Sequence, residues 1–453
     1  MIVMKFGGTS VKDATAIINA INIVKNRYSK AWIVVSALSG ITNKLVNITE
    51  SISIGNLDKS FNLLEEIKNI HLDTISKLNL SNSKTFLLNT IENLKNIIYA
   101  LNIIGEVSPK SIDLILSTGE ILSSYIINDY AKSIGLNSTL IDSREIIKTD
   151  SNFNAAEVNF EITKINILNV LNNNLDFDYI ICGGYIGSDT NNNTTTLGRG
   201  GSDYSAAIIS WVLKSEKLEI WTDVSGIMTT DPRIVPNAKI LKHISYQEAA
   251  ELAYFGAKVL HPKTIFPAIE SDIPVYVLNT FNPDCSGTKI TSKTPYTNII
   301  KSITFRKDIT LINIISNRML GAYGFLAKVF DVFNKNKTSV DLVSTSEVSV
   351  SLTIENEENL SNLINELQEF ATVEVYSNMS IISAIGEGIR DTSGIVSRFM
   401  NCLKGINIYM ITFGASEVNL SIVIKSEFLN KAVELLHSDF FNNINDNELF
   451  SEN

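Results

Sequence analysis

Short β-branched runs alternate with helix-period segments through the first two thirds of the chain. "MIVMKFGG" and "AWIVVSAL" are apolar stretches of strand length ending at small residues, and "TAIINAINIVKNRY" between them has helical spacing. "STLID", "DYIICGGYIGSD" and "KLEIWTDVSG" read as further strands, and "IPVYVLNTF" closes the series. "SIDLILSTGEILSSYIINDYAKSIG" reads as a helix broken early by Gly119. "SYQEAAELAYFGAKVL" reads as a helix with Ser245 as N-cap and Glu248 in the capping-box position. Leu57 to Ile104 is helical in pattern throughout, which fits an inserted lid or packing layer. Alternating strands and helices predict an α/β fold: a largely parallel central sheet sandwiched by helices, with ligands at the C-terminal strand ends. "KFGGTS", "VVSALSGITN", "CGGYIG" and "WTDVSG" all fall at such ends.

From Ser292 to Thr304 the pattern changes, and an internal repeat follows. "ITLINIISNRMLGAYGFLAKVFDVFNKNKTSVDLVSTSEVSVSLTI" reads strand, glycine turn, helix, strand, strand. "MSIISAIGEGIRDTSGIVSRFMNCLKGINIYMITFGASEVNLSIVI" repeats that order, and "TSEVSVSLTI" aligns with "ASEVNLSIVI". Each copy is followed by a helix; a βαββα unit buries one sheet face, so the copies should pair sheet to sheet or side by side. The expected divisions are an α/β domain at 1–292, repeats at 305–375 and 376–440, and a disordered polar tail at 441–453.

Composition narrows the partners. The 453 residues exceed one core, and a prior of ~150 residues per domain suggests about three units. A formal net charge of −10 argues against nucleic acid or an anionic membrane, so an anionic ligand needs a local basic cluster. Cys182, Cys285 and Cys402 are far apart and in no ligand pattern, and read as buried thiols in a reducing compartment. The N-terminus has no basic leader and no run is long enough to span a bilayer, so a cytoplasmic location is expected.

The stretch "TTTLGRGGSDYSAAI" (Thr194 to Ile208) crowds hydroxyls and glycines around Arg199 and Asp203 just before an apolar helix. Helix-start N–H groups near Ser202 suit an anion. Asp203 in the first turn either complements the helix dipole or orients lysines or a phosphate-bound Mg²⁺. "KFGGTS" (Lys5 to Ser10) opens the backbone to phosphate beside an ammonium, without the spacing of a Walker A loop. In "WTDVSGIMTTDPR", Asp231 before Pro232 reads as a turn former, and Arg233 as either a phosphate donor or a surface ion pair. In "YFGAKVLHPKT", His261 reads as a helix terminator, and no histidine lies in a catalytic pattern. A carboxylate nucleophile would already be ionised at neutral pH and would need no general base.

In order, "KFGGTSV", "SALSGITN", "GRGGSDYSAA", "WTDVSGIMTTDPR" and "FGAKVLHPKT" resemble the aspartokinases of the amino acid kinase superfamily, and the repeats resemble their tandem ACT domains. The resemblance covers nearly the whole chain and is to the lysine-sensitive, monofunctional type. It implies the amino acid kinase fold followed by two ferredoxin-like βαββαβ ACT domains. It implies transfer of the ATP γ-phosphoryl group to the side-chain carboxylate of L-aspartate, the first step towards lysine, threonine and methionine. Lys5, Gly7, Gly8, Thr9 and Ser10 then match the phosphate loop, with Lys5, Gly8 and Asp203 catalytic. Ser36, Thr42, Glu120, Arg199 and Ser202 match the aspartate site, Glu120 accepting from the α-ammonium and Arg199 holding a carboxylate. Thr222, Asp223, Met228, Arg233 and Lys258 match nucleotide contacts, with Met228 standing where the family usually has tyrosine. ATP would enter as Mg-ATP, its Mg²⁺ held mainly by the nucleotide phosphates, with no metal site built from the chain itself.

For the effector, L-lysine, the matching positions are Met319, Gly324, Phe325, Leu326, Ser339, Val340, Asp341, Ser346 and Glu347. Asp341 and Glu347 would face its ammonium groups, or else form a solvated strand end. Gly321 and Ala322 replace polar residues common in lysine-sensitive relatives. A homodimer or homotetramer is expected. Other amino acid kinases share the phosphate loop but lack the ACT pair, and an amino-acid sensor without catalysis would lack Lys5, Glu120, Arg199 and Asp203.

Overall fold

Strand β1 (Ile2–Phe6) is buried except for Lys5, and is followed by α1 (Ala14–Arg27), β2 (Ala31–Val35) and α2 (Ile41–Ser53). The computed structural model describes residues 1–256, 262–294, 299–319, 323–355, 358–442 and 450–451. Three long helices come next, α3 (Leu57–Lys77), α4 (Ser81–Ile104) and α5 (Pro109–Ser133), then β3 (Ser138–Ile141), α6 (Ser143–Ile146) and α7 (Phe160–Asn173). β4 (Tyr179–Gly183) precedes a hairpin of β5 (Ile186–Ser188) and β6 (Thr194–Thr196), then α8 (Gly201–Leu213) and β7 (Leu218–Thr222). β8 (Ile240–Leu241), β9 (His243–Ser245), α9 (Tyr246–Tyr254), α10 (Pro262–Glu270), β10 (Val275–Asn279) and β11 (Thr288–Thr291) complete this half.

The sheet runs β3-β4-β2-β1-β7-β10-β11-β9, parallel from β3 to β10, with β11 antiparallel to β10. Successive side chains take opposite faces. Val3, Trp32 and Val34 pack with Ala206 to Ile209 of α8, while Met4, Ile33 and Val35 pack with α1, α2 and α5. Leu64, Ile67, Leu87 and Leu94 of α3 and α4 join that second core, so the long insertion is a packing layer.

Contrary to the sequence reading, α5 runs unbroken through Gly119. The glycine serves a close approach instead: a Cβ there would lie 2.8 Å from the Cβ of Ala37.

The second half contains β12 (Ser302–Ile315), α11 (Phe325–Lys335), β13 (Val343–Thr345), β14 (Ser349–Ile354) and α12 (Leu360–Gln368). It repeats as β15 (Thr372–Ile385), α13 (Ile395–Cys402), β16 (Met410–Phe413), β17 (Asn419–Lys425) and α14 (Leu429–Phe441). All six strands form one antiparallel sheet, β13-β14-β12-β15-β17-β16. β12 and β15 are 14 residues each and pair along both halves, Ser302 with Ile385 and Ile315 with Thr372. Each long strand thus serves both repeats, and the division expected at 375/376 falls inside β15.

Two smaller expectations are corrected. The tail expected to be disordered contributes a strand: β18 (Phe450–Ser451) pairs with β8, burying Phe450 under Lys239, whose Nζ lies 4.6 Å from the ring centroid. Cys182 and Cys285 are buried, but Cys402 on α13 is partly exposed. Among the described residues no helix is long and apolar enough to cross a membrane.

Candidate active site

The C-terminal ends of β1, β2, β4 and β7 meet along one edge of the sheet. Lys5 is the last polar side chain of β1, and its Nζ pairs with Asp203 Oδ1 at 2.7 Å, both groups only 12–13 % exposed. Asp203 lies in the first turn of α8, which Gly200 enters with φ +72°. That left-handed turn is what the crowded glycines of "GRGGS" supply. Its carboxylate therefore both faces the helix dipole and orients the lysine; the two roles do not compete.

Gly7 and Gly8 pass directly beneath this pair. A Cβ at Gly7 would lie 3.5 Å from Lys5 Nζ, and one at Gly8 would lie 3.0 Å from the Ala37 carbonyl oxygen. Thr9 lies half-buried in the short turn that follows. Ser10 differs from expectation. Its hydroxyl donates to the Trp221 carbonyl at 3.2 Å and lies 2.6 Å from Thr280 Oγ1, while its N–H donates to the Gly7 carbonyl at 3.0 Å. Both polar groups of Ser10 thus brace the loop.

Glu120 is buried on α5, and its Oε1 accepts from the Ala37 N–H at 3.2 Å. Oε2 is buried and has no hydrogen-bond partner among the described residues. Burial pushes this carboxyl up to about 8, opposed by the Ala37 N–H, its own N–H and the nearby Lys5 ammonium. An orphaned, desolvated acceptor of this kind suits an incoming ammonium. Ser36, half-buried at the end of β2, accepts at its carbonyl from Ser123 Oγ at 2.8 Å; Thr42 is half-buried in the first turn of α2. Ser202 is nearly buried, and Arg199 is exposed without an ion pair among the described residues.

Of the residues expected at the nucleotide, the described ones lie at the end of β7 and in the loop that follows it. Thr222 ends β7, and its hydroxyl donates to exposed Asp223 at 3.2 Å. Met228 bridges Ile240. Arg233 is exposed, its Nε 3.0 Å from Asp231 Oδ1; the guanidinium holds the Asp231 carboxyl below its usual range. Lys258, like His261, lies outside the described residues.

Three features escaped the sequence reading. The Ala37 N–H that holds Glu120 carries no side-chain signature. Tyr185 adopts φ +66°, uncommon for a bulky residue, and packs on Gly201 at the start of α8; its signal was the glycine pair before it. Asp113, a lone acid in an apolar run, is buried and accepts from Thr196 N–H at 2.9 Å, Thr196 Oγ1 at 2.7 Å and Asn154 N–H at 3.0 Å. It ties α5 to the hairpin leading into α8.

In the second half, Asp341 is not a solvated strand end. Its Oδ1 pairs with Arg306 Nη1 at 2.8 Å and accepts from Tyr254 Oη at 3.1 Å, while Oδ2 is buried without a partner among the described residues. Gly324 opens α11, Phe325 stacks edge-on with Phe370 at 5.7 Å, and Met319 and Val340 are half-buried. Leu326, Ser339, Ser346 and Glu347 are exposed. Gly321 and Ala322 lie outside the described residues.

The amino acid kinase family matches residues 1–279, and the ACT domain family matches 312–360 and 382–440. Lysine-sensitive aspartokinase 3 of Escherichia coli (strain K12) is 35 % identical over 458 residues, spanning 97 % of this chain and 99 % of that one. Aspartokinase 2, chloroplastic, of Arabidopsis thaliana is 36 % identical over 460 residues, spanning 97 % and 84 %. The structure of E. coli aspartokinase III in complex with aspartate and ADP (R-state) matches with a TM-score of 0.85 at 35 % identity, covering 98 % of this chain and 100 % of that one. The same enzyme with lysine and aspartate (T-state) matches at 0.84 and 36 %, with equal coverage. Both halves are matched in order and the relatives align along almost the whole length, so the chain belongs to the aspartokinases, an amino acid kinase domain followed by ACT domains.

Proposed function

We propose that the paired strand ends transfer the γ-phosphoryl group of ATP to the β-carboxylate of L-aspartate, with Lys5 as the charge that stabilises the transferring group. The observation that carries this division of labour is the juxtaposition of the Lys5–Asp203 pair with the orphaned carboxylate oxygen of Glu120. As an aspartokinase the chain is a phosphotransferase with a carboxyl acceptor, acting at the first step of the aspartate pathway. The aspartate carboxylate oxygen bonds to the γ-phosphorus as the bond to the β,γ-bridging oxygen breaks. ADP leaves and 4-phospho-L-aspartate remains. No proton moves in this step, so it needs no general base.

Phosphoryl transfer depends on positioning and charge neutralisation. Asp203 holds the Lys5 ammonium over the Gly7–Gly8 backbone, which takes the phosphates. Glu120 accepts from the α-ammonium, and Arg199, which has no ion pair among the described residues, takes a carboxylate, with Ser36, Thr42 and Ser202 completing the pocket. Thr222, Asp223, Met228, Arg233 and Lys258 line the nucleotide. Mg²⁺ carried on the phosphates would supply charge neutralisation of their oxygens, and Asp203, the carboxylate paired with Lys5, is the residue that would help to hold it. Residues 1–292 form the catalytic unit, and the two repeats that follow, which share β12 and β15, form the regulatory pair.

L-Lysine is the proposed effector, bound by the first repeat in an oligomer, because Asp341 Oδ2 is a buried acceptor of the kind an ammonium needs. The test is turnover of ATP with L-aspartate, trapping the acyl phosphate with hydroxylamine, with and without lysine and threonine. Hydroxamate suppressed by lysine supports both parts; hydroxamate insensitive to lysine removes the effector reading; hydroxamate only with another carboxylic acid reassigns Glu120 and Arg199.

A further inference from the structure

The loop that bears Met228 and Arg233 is fastened to the regulatory half at two adjacent residues, Met228 and the buried Thr229. Its N–H donates to the Lys239 carbonyl at 2.9 Å, and its carbonyl accepts from the Ile303 N–H at 2.8 Å. Its hydroxyl accepts from the Lys239 N–H at 3.0 Å and lies 2.9 Å from His437 Nε2. The neighbouring Met228 carbonyl accepts from Ser302 Oγ at 2.9 Å. Ser302 and Ile303 open β12, and His437 sits on α14, the last helix of the second repeat.

His437 is 2 % exposed, with its ring centroid 4.8 Å from that of Phe441. Burial, and then the Lys239 ammonium, bring its pKa down to about 4, so the ring is neutral near physiological pH. An apolar residue would fill this space equally well. Among the described residues Thr229 is the hydrogen-bond partner of the ring, so the imidazole is a directional link between helix and loop.

We propose that His437 is a positioning residue for the nucleotide: the final helix of the regulatory pair fixes Thr229, and so sets the backbone from which Met228 and Arg233 reach ATP. This rests on the reading of those two residues as nucleotide contacts. The aspartate-side residues lie on other elements: Glu120 on α5, Thr42 on α2, and Arg199 and Ser202 at the start of α8. Loosening the loop should therefore weaken ATP selectively.

In the full-length protein, His437→Ala should raise KM for ATP about 3- to 10-fold, the worth of one buried hydrogen bond, with KM for aspartate and kcat changing less than about twofold. His437→Gln, whose amide can reach Thr229 again, should restore most of the loss. His437→Leu is nearer to the histidine in volume and removes the bond, so it reports the same split if the alanine variant folds poorly. Thr229→Val combined with His437→Ala should be no worse than Thr229→Val alone.

Equal changes in both KM values, a fall in kcat at constant KM for ATP, or no rescue by glutamine would reduce His437 to a packing role and overturn the proposal. Arg233→Ala separates the two ways to fail. If it raises KM for ATP while His437→Ala does not, the link through Thr229 is wrong. If neither raises it, the loop is not a nucleotide contact and the proposal falls with that reading.

Discussion

Asp341 and Tyr254 meet where the regulatory sheet touches the catalytic half: the tyrosine hydroxyl donates to Asp341 Oδ1 at 3.1 Å, and Arg306 pairs with that same oxygen. Arg306 also lies over the Tyr254 ring, 4.7 Å from its centroid, and donates to the Tyr254 carbonyl. Tyr254 ends α9, four residues before Lys258. A carboxylate proposed to receive the effector's ammonium is thus already bonded to the helix that leads towards a proposed nucleotide contact. Inhibition requires lysine to bind one arrangement of this cluster better than another, and an ammonium on Oδ2 would change the charge that Arg306 feels.

Asp341→Asn should raise the lysine concentration for half-inhibition by at least ~10-fold, since a charged hydrogen bond is worth about 1.5–3 kcal/mol. Inhibition curves at fixed ATP and aspartate check this. An unchanged curve would remove Asp341 from the effector site.

Lys5→Ala should lower turnover by roughly 10²–10³, the loss typical of removing one preorganised charge donor. Single-turnover formation of hydroxamate is the measurement. Near-normal turnover would withdraw the role assigned to Lys5.

Glu120 gives a pH signature. The free protein holds its proton up to about 8, yet ammonium capture needs the carboxylate. kcat/KM for aspartate should therefore rise with pH and level off near that value, while kcat, with the ammonium already bound, has its acid limb at lower pH. Glu120→Gln should abolish the limb in the residual activity; a wild-type profile flat across about pH 6–9 would count against it. For stability, a carboxyl raised on folding means that the native state binds the extra proton. Its contribution is present below the unfolded pKa and is lost as pH rises towards about 8, so Glu120→Gln should help the fold more at alkaline pH.

The two halves also share a buried ion pair. Lys301 Nζ lies 2.8 Å from Glu248 Oε2, both at most 1 % exposed, and Glu248 Oε1 accepts from the Glu387 N–H at 2.7 Å. Lys301→Met should destabilise the protein by about 3–5 kcal/mol, by leaving a buried carboxylate uncompensated, and Glu248→Gln added to it should recover part of the loss. Denaturant unfolding of the three variants measures both; equal stability of wild type and Lys301→Met would show the pair to be dispensable.

Much of this was legible because local chemistry announced it. Apolar periodicity marked the strands, and the Ser245–Glu248 capping box forms as written. The same Glu248 also reaches Lys301 and Glu387, which no local rule reveals, since both partners are distant in sequence, one just before β12 and the other just after β15. Gly119 was misread because helix propensity is local, whereas its reason for being glycine, the approach of Ala37, is tertiary. Ser10 was assigned to phosphate on its position in the loop, and only the fold shows its hydroxyl turned to Trp221 and Thr280. The tail was judged by its many asparagines, and the single buried ring of Phe450 outweighs them.

The long strands β12 and β15 have a consequence for how such a protein can change. Because each strand runs through both repeats, neither repeat owns a complete set of strands. Exchanging one repeat for a relative's, with a junction inside β15, would leave mismatched edges on both. A change of effector specificity can come from substitutions lining one unit, but recombination between relatives must carry the pair across together, as a single heritable cassette.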